Sequence, residues 1–97
     1  MNQLDRPPES LAIAGGWGYI GRKFLDAALG LGIRTYVFDP GRPPGDVDID
    51  RVTRILEEEP FYRLPADVFH LALHPEDRHN ALDLLLRRGR EEPLLIL

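Results

Sequence analysis

Cysteine is absent from the 97-residue sequence, which excludes disulfides and thiolate metal sites and fits a reducing compartment. No apolar run approaches the ~20 residues of a membrane-spanning helix. The opening MNQLDRPPES lacks the apolar core of a secretory leader. An excess of positive charge is missing too: 12 Lys and Arg stand against 16 Asp and Glu, a net charge of -4. That balance argues against a nucleic-acid surface, because neutralising phosphates takes clustered cations. The one basic cluster, Arg87, Arg88 and Arg90, is followed at once by Glu91 and Glu92 and reads as a solvated helix end. There is no internal repeat and no low-complexity tract. The expectation is a cytoplasmic globular protein with neither a nucleic-acid nor a membrane partner.

What is present is ordinary for such a protein, with 43% hydrophobic and 29% charged residues. A chain of this length forms one domain, hiding roughly 60 to 70% of its unfolded surface. After a polar leader over residues 1–10, Leu11 to Ala14 reads as a short strand buried on both faces. Ile20, Phe24, Ala27, Ala28 and Leu31 recur at steps of three and four, which predicts a helix with one buried stripe, ended by Gly30 and Gly32. RTYVF at 34–38 is a second strand, and GRPPGD at 41–46 is a turn-rich loop. Val52, Ile55 and Leu56 predict a short helix over about 50–59, stopped by Pro60. DVFHLAL at 67–73 is a third strand. A third helix over 76–88 places Ala81, Leu82, Leu85 and Leu86 on one face and ends near Gly89. PLLIL at 93–97 is a fourth strand.

Strands alternating with helices call for parallel pairing with the crossover helices laid on the sheet. The fold class expected over residues 11–97 is therefore α/β: a Rossmann-like open parallel sheet of about four strands with helices on both faces. The expected strand order is second, first, third, fourth. Ligands of such sheets sit at the carboxyl ends of the strands where the order reverses, between the first and third strands here.

GGWGYIG at 15–21 falls at that point. Gly16-x-Gly18-x-x-Gly21 fits G-x-G-x-x-G after a strand and before a helix, the context that makes it a dinucleotide signal. Gly16 would allow the tight turn, Gly18 would clear space for a pyrophosphate, and Gly21 would let the helix pack on the strand. Phosphates would then meet free N–H groups at a helix N-terminus, including those of Tyr19 and Ile20. Asp39, 18 positions after Gly21 at the end of the second strand, is the candidate for the ribose hydroxyls. Arg42 could hold a 2'-phosphate, so NAD and NADP both stay open. Trp17 and Tyr19, inside the turn, either cover the cofactor or pack a partner.

Two family resemblances follow from these residues. His74-Pro75-Glu76-Asp77-Arg78-His79 followed by NALDLLLRRG resembles a loop and helix in the N-terminal Rossmann domain of the Gfo/Idh/MocA sugar oxidoreductases, with His74 in place of the usual Thr. That resemblance implies an NAD(P)-dependent oxidoreductase acting on a sugar-like hydroxyl, with Leu73, His74, Pro75 and His79 on the nicotinamide side. It also implies a Glu-Lys-Pro motif and a large substrate domain after the fourth strand, neither of which these residues contain. Gly15-Gly16-Trp17-Gly18-Tyr19-Ile20-Gly21, GDVDID and FHLAL are similar to the extended short-chain dehydrogenase/epimerases. Their Tyr-x-x-x-Lys pair would again lie beyond Leu97, and Tyr36 and Tyr62 have no lysine four residues on. The short spacing from His74 to Gly89 favours the first family.

On either resemblance residues 11–97 are a nucleotide-binding domain cut before any substrate domain, with no catalytic residue to assign. His70, His74 and His79 lack matching carboxylates, so no metal site is expected, and His70 reads as a strand histidine with a satisfied hydrogen bond. Leu94 to Leu97, uniformly apolar, read as a strand covered on both faces. A missing substrate domain or a second copy in a homodimer would provide that cover. The rival expectation is a stand-alone Rossmann-like interaction or regulatory module with a degenerate pocket.

Overall fold

A computed structural model describes residues 8–88 and 95–97. Most of the polar leader, the expected helix end at Gly89, the stretch Arg90-Glu91-Glu92 and the strand start at Pro93 and Leu94 lie outside the described residues. Five strands form one parallel sheet: β1 (Ser10–Ala14), β2 (Arg34–Phe38), β3 (Thr53–Arg54), β4 (Val68–Leu71) and β5 (Leu95–Ile96). Their order is β3-β2-β1-β4-β5. This is the α/β Rossmann-like architecture, with the expected order of four strands and one more at the β2 edge. Ala14 stands beside Phe38 on one side and Leu71 on the other, so the carboxyl ends of the three central strands are level.

The pleat sends alternate side chains of β1 to opposite faces. Leu11 and Ile13 join Leu25, Ala28, Val37 and Val68 beneath α1 (Tyr19–Gly30). Ala12 and Ala14 join Phe61, Tyr62, Phe69, Leu71, Ala81 and Leu85 beneath α2 (Glu58–Tyr62) and α3 (Pro75–Arg87). Helices therefore cover both faces, and β1 between them is buried throughout. The alanines leave room for the Phe61 and Phe69 rings, which meet edge to face at 5.7 Å.

Four expectations about local structure are corrected. The helix expected over 50–59 is a 3-10 turn at Ile49–Arg51 followed by β3. Val52 packs toward α1 and Ile55 toward α2, so the two point to opposite faces as in a strand. Val52, Thr53 and Ile55 are β-branched, which suits the extended chain. The helix comes later, and Pro60 sits in its first turn, where a missing N–H costs nothing.

The buried stripe of α1 is Gly21, Leu25 and Ala28, not the expected one. Ile20, Phe24, Ala27 and Leu31 make a second stripe on the exposed flank. Leu86 likewise faces outward, 80% exposed. At the far edge Leu95 and Leu97 are 43% and 42% exposed, so β5 is not covered on both faces.

Two side chains differ in environment from what the sequence suggests. Arg88 is not simply solvated: its guanidinium donates to the carbonyls of Leu64 at 2.9 Å and Tyr62 at 3.2 Å, tying the end of α3 to the loop after α2. His70 on β4 is buried, and its Nδ1 has no hydrogen-bond partner among the described residues. Its ring lies 3.8 Å from that of Phe24, which shields it from water.

Phe61, fully buried between the sheet and α3, sets the scale of packing: Phe61→Ala should cost about 3–5 kcal/mol. Leu86→Ala should stay within about 0.5 kcal/mol. Urea unfolding of both variants checks the contrast, and equal losses would contradict this assignment of faces. His70 predicts a pH effect. Burial, and then the positive charge of Arg78, hold its imidazole below the ordinary range. The unfolded chain takes up a proton near pH 6.5 while the folded chain resists it, so stability falls as pH drops through about 6.5. The fall ends below the folded value. His70→Leu should lose less of its urea midpoint between about pH 7.5 and 5.5 than the unsubstituted chain does.

Candidate functional site

The glycine stretch between β1 and α1 is shaped by close approaches. Gly15 has φ +80°, a conformation that side chains disfavour, and a Cβ there would strike the carbonyl oxygen of Ala72 just past β4. A Cβ on Gly16 would stand 2.6 Å from Val37 Cγ1 on the α1 side of β2, and one on Gly21 would strike the Gly15 carbonyl oxygen. The tight turn expected at Gly16 is therefore made at Gly15, and Gly16 serves packing. The spacing Gly15-x-x-Gly18-x-x-Gly21 is the signal for it.

Gly18 is different. It is the N-cap of α1, in an extended conformation, with no side-chain cap. A Cβ there would meet at 2.5 Å only the mobile tip of Arg42. Ser, Asn or Asp would cap better, and packing gives no strong reason for glycine. The N–H groups of Tyr19, Ile20 and Gly21 have no hydrogen-bond partner among the described residues. The first turn of α1 also carries no acidic residue, leaving the positive end of the helix dipole uncompensated.

That end opens on a cleft of about 720 Å³ at the carboxyl ends of β1, β2 and β4. Gly18, Tyr19, Ile20 and Gly21 line one side, and Asp39 and Arg42 line the β2 end. Leu73 and His74 border it at the start of α3. Eight of the residues singled out in the sequence thus meet in one place. Gly16, Trp17, Pro75 and His79 do not line it. The Trp17 side chain packs against the core under α1, and Pro75 occupies the first turn of α3.

Asp39 does two things that a strand-end acid can do. Its side chain is only 10% exposed, and Oδ2 accepts the Trp17 N–H at 3.1 Å, which fixes the turn. The same oxygen lies 3.5 Å from an Arg42 nitrogen. The sequence reading missed Ala72, His70 and Arg78, which also border the cleft. His70 follows from strand alternation, since it falls on the same face as Val68. Arg78 donates to the Leu71 carbonyl at 2.6 Å and places its charge at the end of β4; its position one turn into α3 was the available signal. Among the described residues no group of three His, Asp or Glu side chains could hold a metal ion.

A second depression, of about 570 Å³, lies at the opposite ends of the strands, lined in part by Ser10, Leu29, Gly32 and Arg34. It meets the carboxyl end of α1, whose partial negative charge disfavours phosphate. The cleft at the glycine stretch is the better anion site.

No protein-family model and no curated protein matches the sequence. Solved structures match the fold. A short chain dehydrogenase from Leptospira borgpetersenii with bound NAD+ superposes with a TM-score of 0.60 at 17% identity, over 82% of this chain and 44% of that one. A D-2-hydroxyisocaproate dehydrogenase gives 0.59 at 19%, over 79% and 24%. A short-chain dehydrogenase/reductase superfamily protein from Agrobacterium tumefaciens with bound NAD gives 0.55 at 18%, over 82% and 30%. The chain spans less than half the length of each of these. At such identities the likeness shows a Rossmann-like fold of the dehydrogenase type and does not decide between the two families that the sequence resembles.

Proposed function

We propose that these residues are the NAD(P)-binding portion of an oxidoreductase whose substrate carries a sugar-like hydroxyl. The carrying observation is the uncapped N-terminus of α1, with three unpartnered N–H groups, open to a cleft that also holds a strand-end carboxylate. A dinucleotide has the matching chemistry: a diphosphate for the N–H groups and a ribose diol for the acid. Tyr19, Ile20 and Gly21 would hold the pyrophosphate through their N–H groups across the clear space at Gly18. Gly16 would seat the turn on Val37, and Asp39 would receive the ribose. Arg42 would lie at the same end. Leu73, His74, Pro75 and His79 would lie toward the nicotinamide, as the resemblance at the start of α3 suggests, and Trp17 would act only by bracing the turn.

When bound, the dinucleotide supplies hydride transfer between its nicotinamide and a hydroxyl-bearing carbon. No residue of the chain is assigned to the reacting carbon, so binding without turnover is the expectation. The substrate side would come from further polypeptide or a second copy, for which the edge strand β5 offers unpaired backbone.

Titration of reduced-nicotinamide fluorescence tests the reading. Saturable binding of NADH or NADPH below about 1 mM is expected. No saturation with either would leave an interaction module as the better account. Gly18→Val should abolish binding while circular dichroism and the urea midpoint stay close to those of the unsubstituted chain. Undiminished affinity in that variant would remove the turn from the site.

A further inference from the structure

Arg42 is held differently from every other group at the cleft. Its side chain is 52% exposed, and its guanidinium has Asp39 as its ion-pair partner, at 3.5 Å. No other hydrogen bond or ion pair holds that guanidinium among the described residues. The nitrogen that faces Asp39 is also the one that would stand 2.5 Å from a Cβ on Gly18. The guanidinium therefore lies across the N-cap of α1, between the strand-end acid and the unpartnered N–H groups. Asp39 is anchored in its turn by the Trp17 N–H, whereas Arg42 stands on a loop with Pro40, Gly41, Pro43 and Pro44 around it. Of the two partners, Arg42 is the one free to leave.

A strand-end carboxylate standing alone accepts ribose hydroxyls and repels a phosphate on the same ribose. With a guanidinium beside it the local charge is close to zero, and the cation presents a planar fork suited to phosphate oxygens. An exposed ion pair of this kind is weakly held, so a doubly charged phosphate can take the guanidinium from it.

The geometry points to Asp39 and Arg42 acting as an exchangeable pair that admits both NADH and NADPH. This rests on the dinucleotide reading above and adds the ligand's 2'-substituent to it. With an unphosphorylated ribose, Arg42 stays on Asp39 while the acid's remaining acceptor positions take the hydroxyls. With a 2'-phosphate, Arg42 turns from Asp39 to the phosphate and the acid keeps its bond to the Trp17 N–H. Arg42 is thus a specificity-determining residue, and its loss penalises one ligand only.

Calorimetric and fluorescence titrations of NADH, NADPH, AMP and adenosine 2',5'-bisphosphate separate the possibilities. In the unsubstituted chain NADH and NADPH should bind within about tenfold of each other. Arg42→Ala should weaken NADPH and the bisphosphate by roughly 10 to 100-fold, the loss of a charge-assisted pair, and NADH and AMP by less than about threefold. Added salt should weaken NADPH more steeply than NADH. Asp39→Asn keeps an oxygen for the Trp17 N–H and should weaken NADH while leaving NADPH unchanged or tighter, with circular dichroism confirming the fold. A preference for NADH beyond about 100-fold, or equal losses for both ligands in Arg42→Ala, would overturn the exchange and leave the dinucleotide reading standing. Failure of both dinucleotides to bind would overturn both.

Discussion

The carbonyl of Gly15 is the point on which the site depends. It accepts the Gly18 N–H at 3.1 Å, and the α carbon of Gly21 lies so close that no side chain fits between. On its other side, Gly15 backs against the Ala72 carbonyl at the end of β4. The end of β1, the start of α1 and the exit of β4 are thereby drawn to within contact distance. Only backbone can pack so closely, and backbone brings its N–H groups with it. The closeness that seats α1 on the sheet is also what leaves the first turn of the helix facing the gap between β1 and β4.

Charge in that gap is arranged by position along the strands. α1 directs its positive end into it, and Asp39, Arg42 and Arg78 stand at the ends of β2 and β4. The acid steadies the turn and the two arginines make the surroundings attractive to anions, although the chain as a whole carries a net charge of -4. A negative surface with a locally positive cleft fits a small anionic ligand better than a polyanion.

Much of this was legible in the sequence because the informative signals are local. The apolar runs at β1 and β4, the β-branched β2 and the glycine spacing each report on a few neighbouring residues, and the parallel order follows from their alternation with helices. What was not legible depends on partners far along the chain. Thr53 and Arg54 form a strand because Tyr36 and Val37 offer an edge, and no window around Val52 contains that fact. Helical spacing identified α1 but could not say which of its two apolar stripes meets the sheet. The need for glycine at 15 comes from Ala72, 57 positions away. His70 was legible as a strand residue, but its unpaired Nδ1 follows from the Phe24 ring laid over it.

Trp17 is the single tryptophan of the chain. Its indole is seated among Ile13, Leu25 and Val37, while its own N–H is held by Asp39. Ultraviolet emission from the whole molecule therefore originates within one residue of the α1 cap, in an apolar pocket whose wall is the turn itself. Any event that shifts the strand-end acid changes the surroundings of that emitter, so the chain carries an intrinsic optical reporter at the mouth of its cleft.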